Sequence, residues 1–82
     1  MRDPERIKVI LGLINAIWER DSDLRFNQLI YNLQWEFSSR NNGVGKIEAI
    51  ESDGFTRTGF DLFNLEDDLF LKYLQEKALD AK

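Results

Sequence analysis

The sequence predicts a mainly α domain, three helices with an irregular or β-hairpin insertion between the second and third. Three observations carry this. Apolar residues recur at helical spacing in three separate stretches. Each stretch opens on residues suited to a helix start. The segment between the second and third stretches loses that period and collects Ser, Asn and Gly. At 82 residues there is room for a single domain, 1–82.

The first helix is predicted over 4–20. Asp3 accepts a hydrogen bond from an orphan backbone N–H, and Pro4 loses nothing at the first helical position. Glu5 complements the positive end of the helix dipole and Arg20 the negative end. Ile7, Ile10, Leu11, Ile14, Ile17 and Trp18 form one broad stripe, which Leu13 widens.

A short polar connection from Glu19 to Asp23 follows, with Asp23 or Ser22 as cap of a second helix over 24–37. Phe26, Leu29, Ile30, Leu33 and Phe37 form its first stripe. Leu24, Tyr31 and Trp35 form a second, roughly opposite. So small a domain has two ways to treat that second face. The middle segment folds over it, or it stays open as a partner or dimer seam with aromatic anchors. Gln28 and Asn32, four apart, are expected to tie the middle segment down by hydrogen bonds to its backbone.

The insertion spans 38–62. Asn41, Asn42 and Gly43 suit a left-handed helix C-cap. Asp53-Gly54 is a hairpin turn signal, and Thr56, Thr58 and Phe60 favour a strand. Against this, Val44, Ile47 and Ile50 are spaced for a helical turn, and Gly59 weakens a strand. A hairpin, an ordered loop and a short helix all remain open.

The third helix is predicted over 65–78. Asn64 serves as N-cap, and Asp67 three residues on gives a short version of a capping box. Leu65, Leu69, Phe70, Tyr73 and Leu74 form its apolar face. Residues from Ala78 to Lys82 are expected to fray.

Composition narrows the function classes. The hydrophobic fraction of 43% permits a core, and the absence of Cys excludes disulfide support. No secretory h-region opens the chain, and the apolar run from Val9 to Trp18 is too short to span a bilayer. The expected location is therefore cytoplasmic. Net charge is −4, but residues 46–68 alone carry −5. Glu48, Glu51, Asp53, Glu66, Asp67 and Asp68 make that stretch a candidate acidic surface, which repels phosphate backbones.

The chemistry of catalysis is thin. Without His or Cys there is no imidazole base, no thiolate nucleophile and little zinc chemistry. Gly43-Val44-Gly45-Lys46 lacks the spacing and the Ser or Thr of a phosphate-binding loop. Glu66, Asp67 and Asp68 point about 100° apart on a helix, so they suit dipole complementation rather than one metal ion. No enzyme activity, cofactor or metal is expected. Helix 2 carries Arg25, Asn27, Gln28, Asn32 and Gln34, which invites a helix-turn-helix reading. Arg25 and Arg40 are its only nearby cations, too few for a DNA reader.

The pattern Arg2-Asp3-Pro4-x-Arg6-Ile7, then Trp18, Asp23-Leu24-Arg25-x-x-Gln28-Leu29-Ile30-x-Asn32 and Phe63-x-x-Glu66-Asp67-Asp68 resembles a group of short uncharacterised proteins of bacteria, phages and plasmids. More loosely it resembles the YihD-like proteins of enterobacteria. The resemblance covers 2–33 and 60–75 and implies a small helical cytoplasmic protein. It supplies no activity, cofactor or catalytic residue. Within the pattern, Arg6 and Arg25 are expected to pair with Asp3, Asp23 or the Glu66–Asp68 cluster and set how the helices dock.

The expected function is a small non-enzymatic interaction module of the kind phages and plasmids carry, binding another protein or itself through Tyr31, Trp35 and Phe55. The alternative is an acidic decoy for a nucleic-acid-binding host protein, and a helix-turn-helix-like DNA binder ranks last.

Overall fold

Each predicted helix forms, and the insertion is a hairpin. The computed structural model describes residues 2–79, with α1 at Glu5–Glu19, α2 at Phe26–Arg40, β1 at Lys46–Ile50, β2 at Thr56–Phe60 and α3 at Asp67–Leu79. The α3 helix runs through Ala78 and Leu79, where fraying was expected, and residues 80–82 lie outside the description.

The start of α1 is as expected. Asp3 Oδ1 accepts the Glu5 N–H at 3.0 Å, and Pro4 holds φ at −65°. At its far end, Trp18 Nε1–H donates to the Leu24 carbonyl at 2.8 Å, and its ring lies 5.6 Å from Phe26. That latch reverses the chain into α2.

Neither Ser22 nor Asp23 caps α2. A turn closed by Leu24 N–H on the Asp21 carbonyl takes up those residues, and the helix starts two positions later than predicted. Arg25 stands at the N-cap, with extended backbone and a side chain that has no acceptor. Gln28 compensates, because its Oε1 accepts the Arg25 N–H at 2.9 Å. Gln28 is therefore a capping residue, not a tie to the insertion. Asn32 borders a depression with Ile17, Leu29 and Lys77, on the side facing α1 and α3. The expected tie from this pair does not form.

At its C-terminus α2 continues three residues beyond Phe37, because Ser38 is buried at 2% exposure and packing outweighs its weak propensity. The predicted left-handed stop follows. Asn42 has φ 60° and Gly43 φ 79°, and Gly43 N–H donates to the Ser38 carbonyl at 2.7 Å.

The third helix starts at Asp67, two residues late. Asn64 sits in a turn closed by Leu65 N–H on the Leu62 carbonyl, so it does not cap. Asp67 is drawn away from a capping box by Arg6, whose Nε lies 2.6 Å from its carboxylate. Beside this pair, Arg2 makes a two-pronged contact with Glu66. The expected pairing of Arg6 with the acidic cluster forms, whereas Arg25 takes no part in it. At the opposite end of α1, the Arg20 guanidinium donates to the Lys77 and Ala78 carbonyls, the exposed last carbonyls of α3. N-terminus meets N-terminus and C-terminus meets C-terminus. Helices α1 and α3 therefore lie parallel, and α2 runs against both.

This docking rotates α1 relative to its predicted stripe. Arg6, Leu13 and Arg20, each seven apart, mark the side turned to α3. Burial centres on Ile10, Leu13, Ile14 and Ile17, while Ile7 and Leu11 are exposed. The core comprises Ile17, Leu29, Leu33, Phe37, Tyr73 and Leu74. Phe37, Phe70 and Tyr73 form a ring cluster with centroids 5.2–5.8 Å apart.

One polar knot joins α2 to α3. Glu36 Oε1 accepts from the Tyr73 hydroxyl at 2.6 Å and from Lys77 Nζ at 2.8 Å, and its other oxygen lies 3.5 Å from Arg40. Burial pushes the Glu36 carboxyl up. Hydrogen bonds from Lys77 and Tyr73, with the charges of Lys77 and Arg40, outweigh it, so the net shift is downward. Burial, then the bond to Glu36 and its charge, raise the Tyr73 phenol well above its ordinary value.

A carboxyl whose pKa falls on folding stabilises the fold above its unfolded value, and that contribution is lost as pH drops through the folded value. Stability to urea is expected to decline once pH falls below about 4.3, the ordinary Glu value. Glu36→Gln should flatten that decline and lower stability at neutral pH by about 1 kcal/mol. Urea titrations of both proteins across acid and neutral pH check this; equal acid slopes would remove Glu36 from the account.

Candidate functional site

The hairpin follows from its turn. Ser52-Asp53-Gly54 forms a three-residue loop in which Gly54 N–H donates to the Glu51 carbonyl at 2.9 Å and Glu51 N–H to the Phe55 carbonyl at 2.8 Å. Gly54 has φ 89°, the left-handed residue such a loop requires. Asp53 Oδ1 accepts the Phe55 N–H at 3.0 Å and stiffens the turn. The turn sets an antiparallel register with Lys46 opposite Phe60, Glu48 opposite Thr58 and Ile50 opposite Thr56. Those six residues share one face of the ribbon, and Ile47, Ala49, Glu51, Phe55, Arg57 and Gly59 share the other.

The base of the hairpin is fastened to α2. The Phe60 ring lies 5.6 Å from Tyr31 and 5.8 Å from Trp35, edge-to-face in both cases. Tyr31 and Trp35 are 6.2 Å apart, and Lys46 Nζ sits 5.4 Å from the Trp35 ring centroid. The insertion thus folds onto the second stripe of α2 but does not close over it: Tyr31 remains 42% exposed and Trp35 44%. Beside them, a shallow cavity of about 360 Å³ is lined by Trp35, Ser38, Lys46 and Phe60. The Ser38 hydroxyl is buried with no hydrogen-bond partner, which costs about 1–3 kcal/mol.

Phe55 does not join this cluster. It stands at the hairpin tip, 70% exposed, on the opposite face of the ribbon and about 17 Å along the strand from Phe60. The aromatic that completes the surface is Phe60, which the sequence marked only as a strand former. The register was the missing signal. Once Asp53-Gly54 is taken as the turn, counting back places Phe60 opposite Lys46 at the helix end of the ribbon.

The acidic residues are spread over two places and largely met within the chain. Glu48 pairs with Lys46 at 3.3 Å, Glu51 with Arg57 at 3.0 Å, Glu66 with Arg2 at 2.9 Å and Asp67 with Arg6 at 2.6 Å. Asp53 is occupied by its own turn. Asp68 lies beside the Arg2–Arg6 end of the bundle. No group of three acids among the described residues is placed to hold a metal ion.

On α2, the residues that invited a DNA-reading role are dispersed. Gln28 caps, Asn32 faces the α1–α3 side, and Arg40 engages Glu36 and the Tyr73 ring. The hairpin base occupies the outward face that a recognition helix presents. Among the described residues, no helix is long and apolar enough to cross a membrane. No protein-family model, curated protein or solved structure matches the chain.

Where the hairpin leaves the bundle, Gly45 has φ 77° and its carbonyl accepts the Asp61 N–H at 2.8 Å. A Cβ there would press into the Leu62 side chain and lie 2.9 Å from the Asp61 carbonyl oxygen. Gly45→Ala is expected to cost about 1–3 kcal/mol and to loosen the hairpin ahead of the helices. Urea unfolding combined with amide exchange along β1 and β2 checks this; unchanged stability with unchanged strand protection would refute the strain argument.

Proposed function

We propose that this chain is a small non-enzymatic protein-interaction module that docks through the Tyr31–Trp35–Phe60 face and the adjoining hairpin. One observation carries the reading. Two large aromatics stay more than two-fifths exposed although a third ring holds them in place. Rings fixed before contact lose little entropy on binding, and Tyr and Trp dominate the energetics of known interfaces. Ile50 is exposed on the same face of the ribbon as Phe60, and Ile47 and Phe55 are exposed on the opposite face.

The decoy reading needs free negative charge in one place. Four of the six acids named for it meet a cation of their own chain, and the cluster at α3 lies at the end of the bundle where Arg2 and Arg6 stand. Those features favour the aromatic face over the acidic one.

The immobilised chain should retain a specific protein from host lysate, and a Tyr31→Ala/Trp35→Ala double variant with an unchanged circular dichroism spectrum should lose it. Raising salt should weaken that capture only slightly, because apolar contacts are poorly screened. Retention by the double variant, or a steep salt dependence, would move the interface to the acidic residues.

A further inference from the structure

We propose that Asn42-Gly43 is a self-modification site: Asn42 deamidates through a cyclic imide, the Gly43–Ser38 hydrogen bond holds the reaction back, and the product releases the hairpin from α2.

The residues supply the chemistry. Asparagine before glycine closes this ring most readily, because glycine has no Cβ to obstruct the approach of its nitrogen. Asn42 is the chain's one asparagine followed by glycine; Asn15, Asn27, Asn32, Asn41 and Asn64 precede residues that carry side chains. Asn42 and Gly43 are both exposed, so water and base reach them. The Gly43 nitrogen loses its proton and attacks Cγ of Asn42. A C–N bond forms, and the side-chain nitrogen leaves as ammonia. Water then opens the ring. Cleavage at Cγ leaves aspartate, and cleavage at the main-chain carbonyl leaves isoaspartate, whose backbone runs through Cβ. The net change is hydrolysis of one amide: water is consumed, ammonia is released, and nothing is oxidised or reduced.

The fold supplies the gate. Gly43 N–H donates to the Ser38 carbonyl at 2.7 Å, in the left-handed stop where Asn42 has φ 60° and Gly43 φ 79°. A proton held there is closed to base, so ring closure and amide exchange at Gly43 both wait for the stop to open. Its neighbours hold it shut: Asn41 Nδ2 donates to the Phe37 carbonyl at 2.7 Å, and Asn41 N–H to the Ser38 carbonyl at 3.1 Å. These bonds lie at a solvent-exposed helix end, where local opening costs less than unfolding the core. Opening and closing are far faster than ring closure, so the rate follows the open population. Asp53-Gly54, at the hairpin turn, reacts more slowly on two counts. A carboxylate is a poorer electrophile than an amide, and both Gly54 N–H and Asp53 Oδ1 are hydrogen-bonded within the turn.

The product acts on the hairpin. A carboxylate at position 42 stands at the negative end of the α2 dipole, which disfavours it. Isoaspartate also adds a methylene to the main chain, so Gly43 moves away from Ser38. The Gly43 carbonyl accepts the Lys46 N–H at 3.1 Å, and Lys46 Nζ sits over the Trp35 ring. Displacing Gly43 therefore loosens the start of β1 and its contact with the aromatic face.

Ageing the folded chain in mildly alkaline buffer tests this. Peptide mass spectrometry should find Asn42 converted ahead of every other asparagine, and roughly tenfold or more slowly than in urea. Asn41→Ala, with unchanged circular dichroism, should raise the folded-state rate and Gly43 amide exchange by the same factor and leave the rate in urea unchanged. The converted chain, separated by its added negative charge, should exchange its β1 and β2 amides faster, with those of α1 and α3 unaltered. Asn42→Gln, whose longer side chain closes a larger ring far more slowly, should keep its strand exchange constant over the same period. Equal rates in buffer and urea overturn the gate, as does a folded chain that exchanges its Gly43 amide yet never converts. Earlier conversion at another asparagine overturns the site. Unchanged strand exchange in the converted chain overturns the release of the hairpin.

Discussion

Parallel docking of α1 on α3 is the constraint from which the rest of the molecule follows. It is set at both ends by arginines: Arg2 and Arg6 on the acids that open α3, and Arg20 on the carbonyls that close it. These contacts are largely exposed, and such pairs are usually worth about 0–1 kcal/mol each. Burying one large aliphatic side chain contributes about 1.5–3 kcal/mol, so Leu33 and Leu74 together outweigh the surface ion pairs. The arginines therefore choose orientation, and the apolar core supplies stability. Their placement also agrees with the helix dipoles. Acids stand at the N-terminus of α3 and a guanidinium at its C-terminus, so electrostatics and packing favour one arrangement.

With α1 and α3 side by side, α2 has one face for the pair and one left over. Leu29, Leu33 and Phe37 fill the first, with Glu36 tied across to Tyr73 and Lys77. Tyr31 and Trp35 necessarily point away. In a larger domain another layer would cover them. Among the described residues the hairpin is the segment that lies against them, and just its base reaches them. The molecule is accordingly flat, 44 × 35 × 19 Å, with a radius of gyration of 14.3 Å where a compact chain of this length gives about 12 Å. Exposure of the aromatic face thus follows from helix order and from a hairpin that covers it only at its base.

Much of this was legible in the residues. The number, order and type of the helices came from periodicity, and the left-handed stop at Asn42 and Gly43 came from composition. The errors share a physical cause. Asn64, Ser22 and Asp23 read as caps because local propensity favours them, yet each was absorbed into a turn, while Gln28 and Asp67 were recruited by neighbours that a linear reading does not pair with them. The α1 stripe was misplaced for the same reason: Ile7 and Leu11 fit the helical period as well as Ile10 and Leu13, and only the partner helix decides between them. Of the candidate site, Tyr31 and Trp35 were visible as a second stripe. Phe60 was not, since its position depends on a strand register that is set at the Ser52-Asp53-Gly54 turn, beyond the far end of β2.

The hairpin concentrates what remains unsatisfied. Its base is held by Phe60, Lys46 and the Gly45–Asp61 bond; beyond that, Ile50 and Phe55 stand in water and β1 offers an unpaired edge. Local stability should therefore fall from base to tip, as it does wherever backbone hydrogen bonds are solvent-exposed and apolar contacts are few. A contact that covers this ribbon would stabilise the weakest part of the fold as well as the complex. Binding to the folded state draws the folding equilibrium with it, and the effect weighs most where the margin is smallest. For a domain whose size limits it to roughly 4–12 kcal/mol, association and folding at the hairpin are coupled through the same few residues.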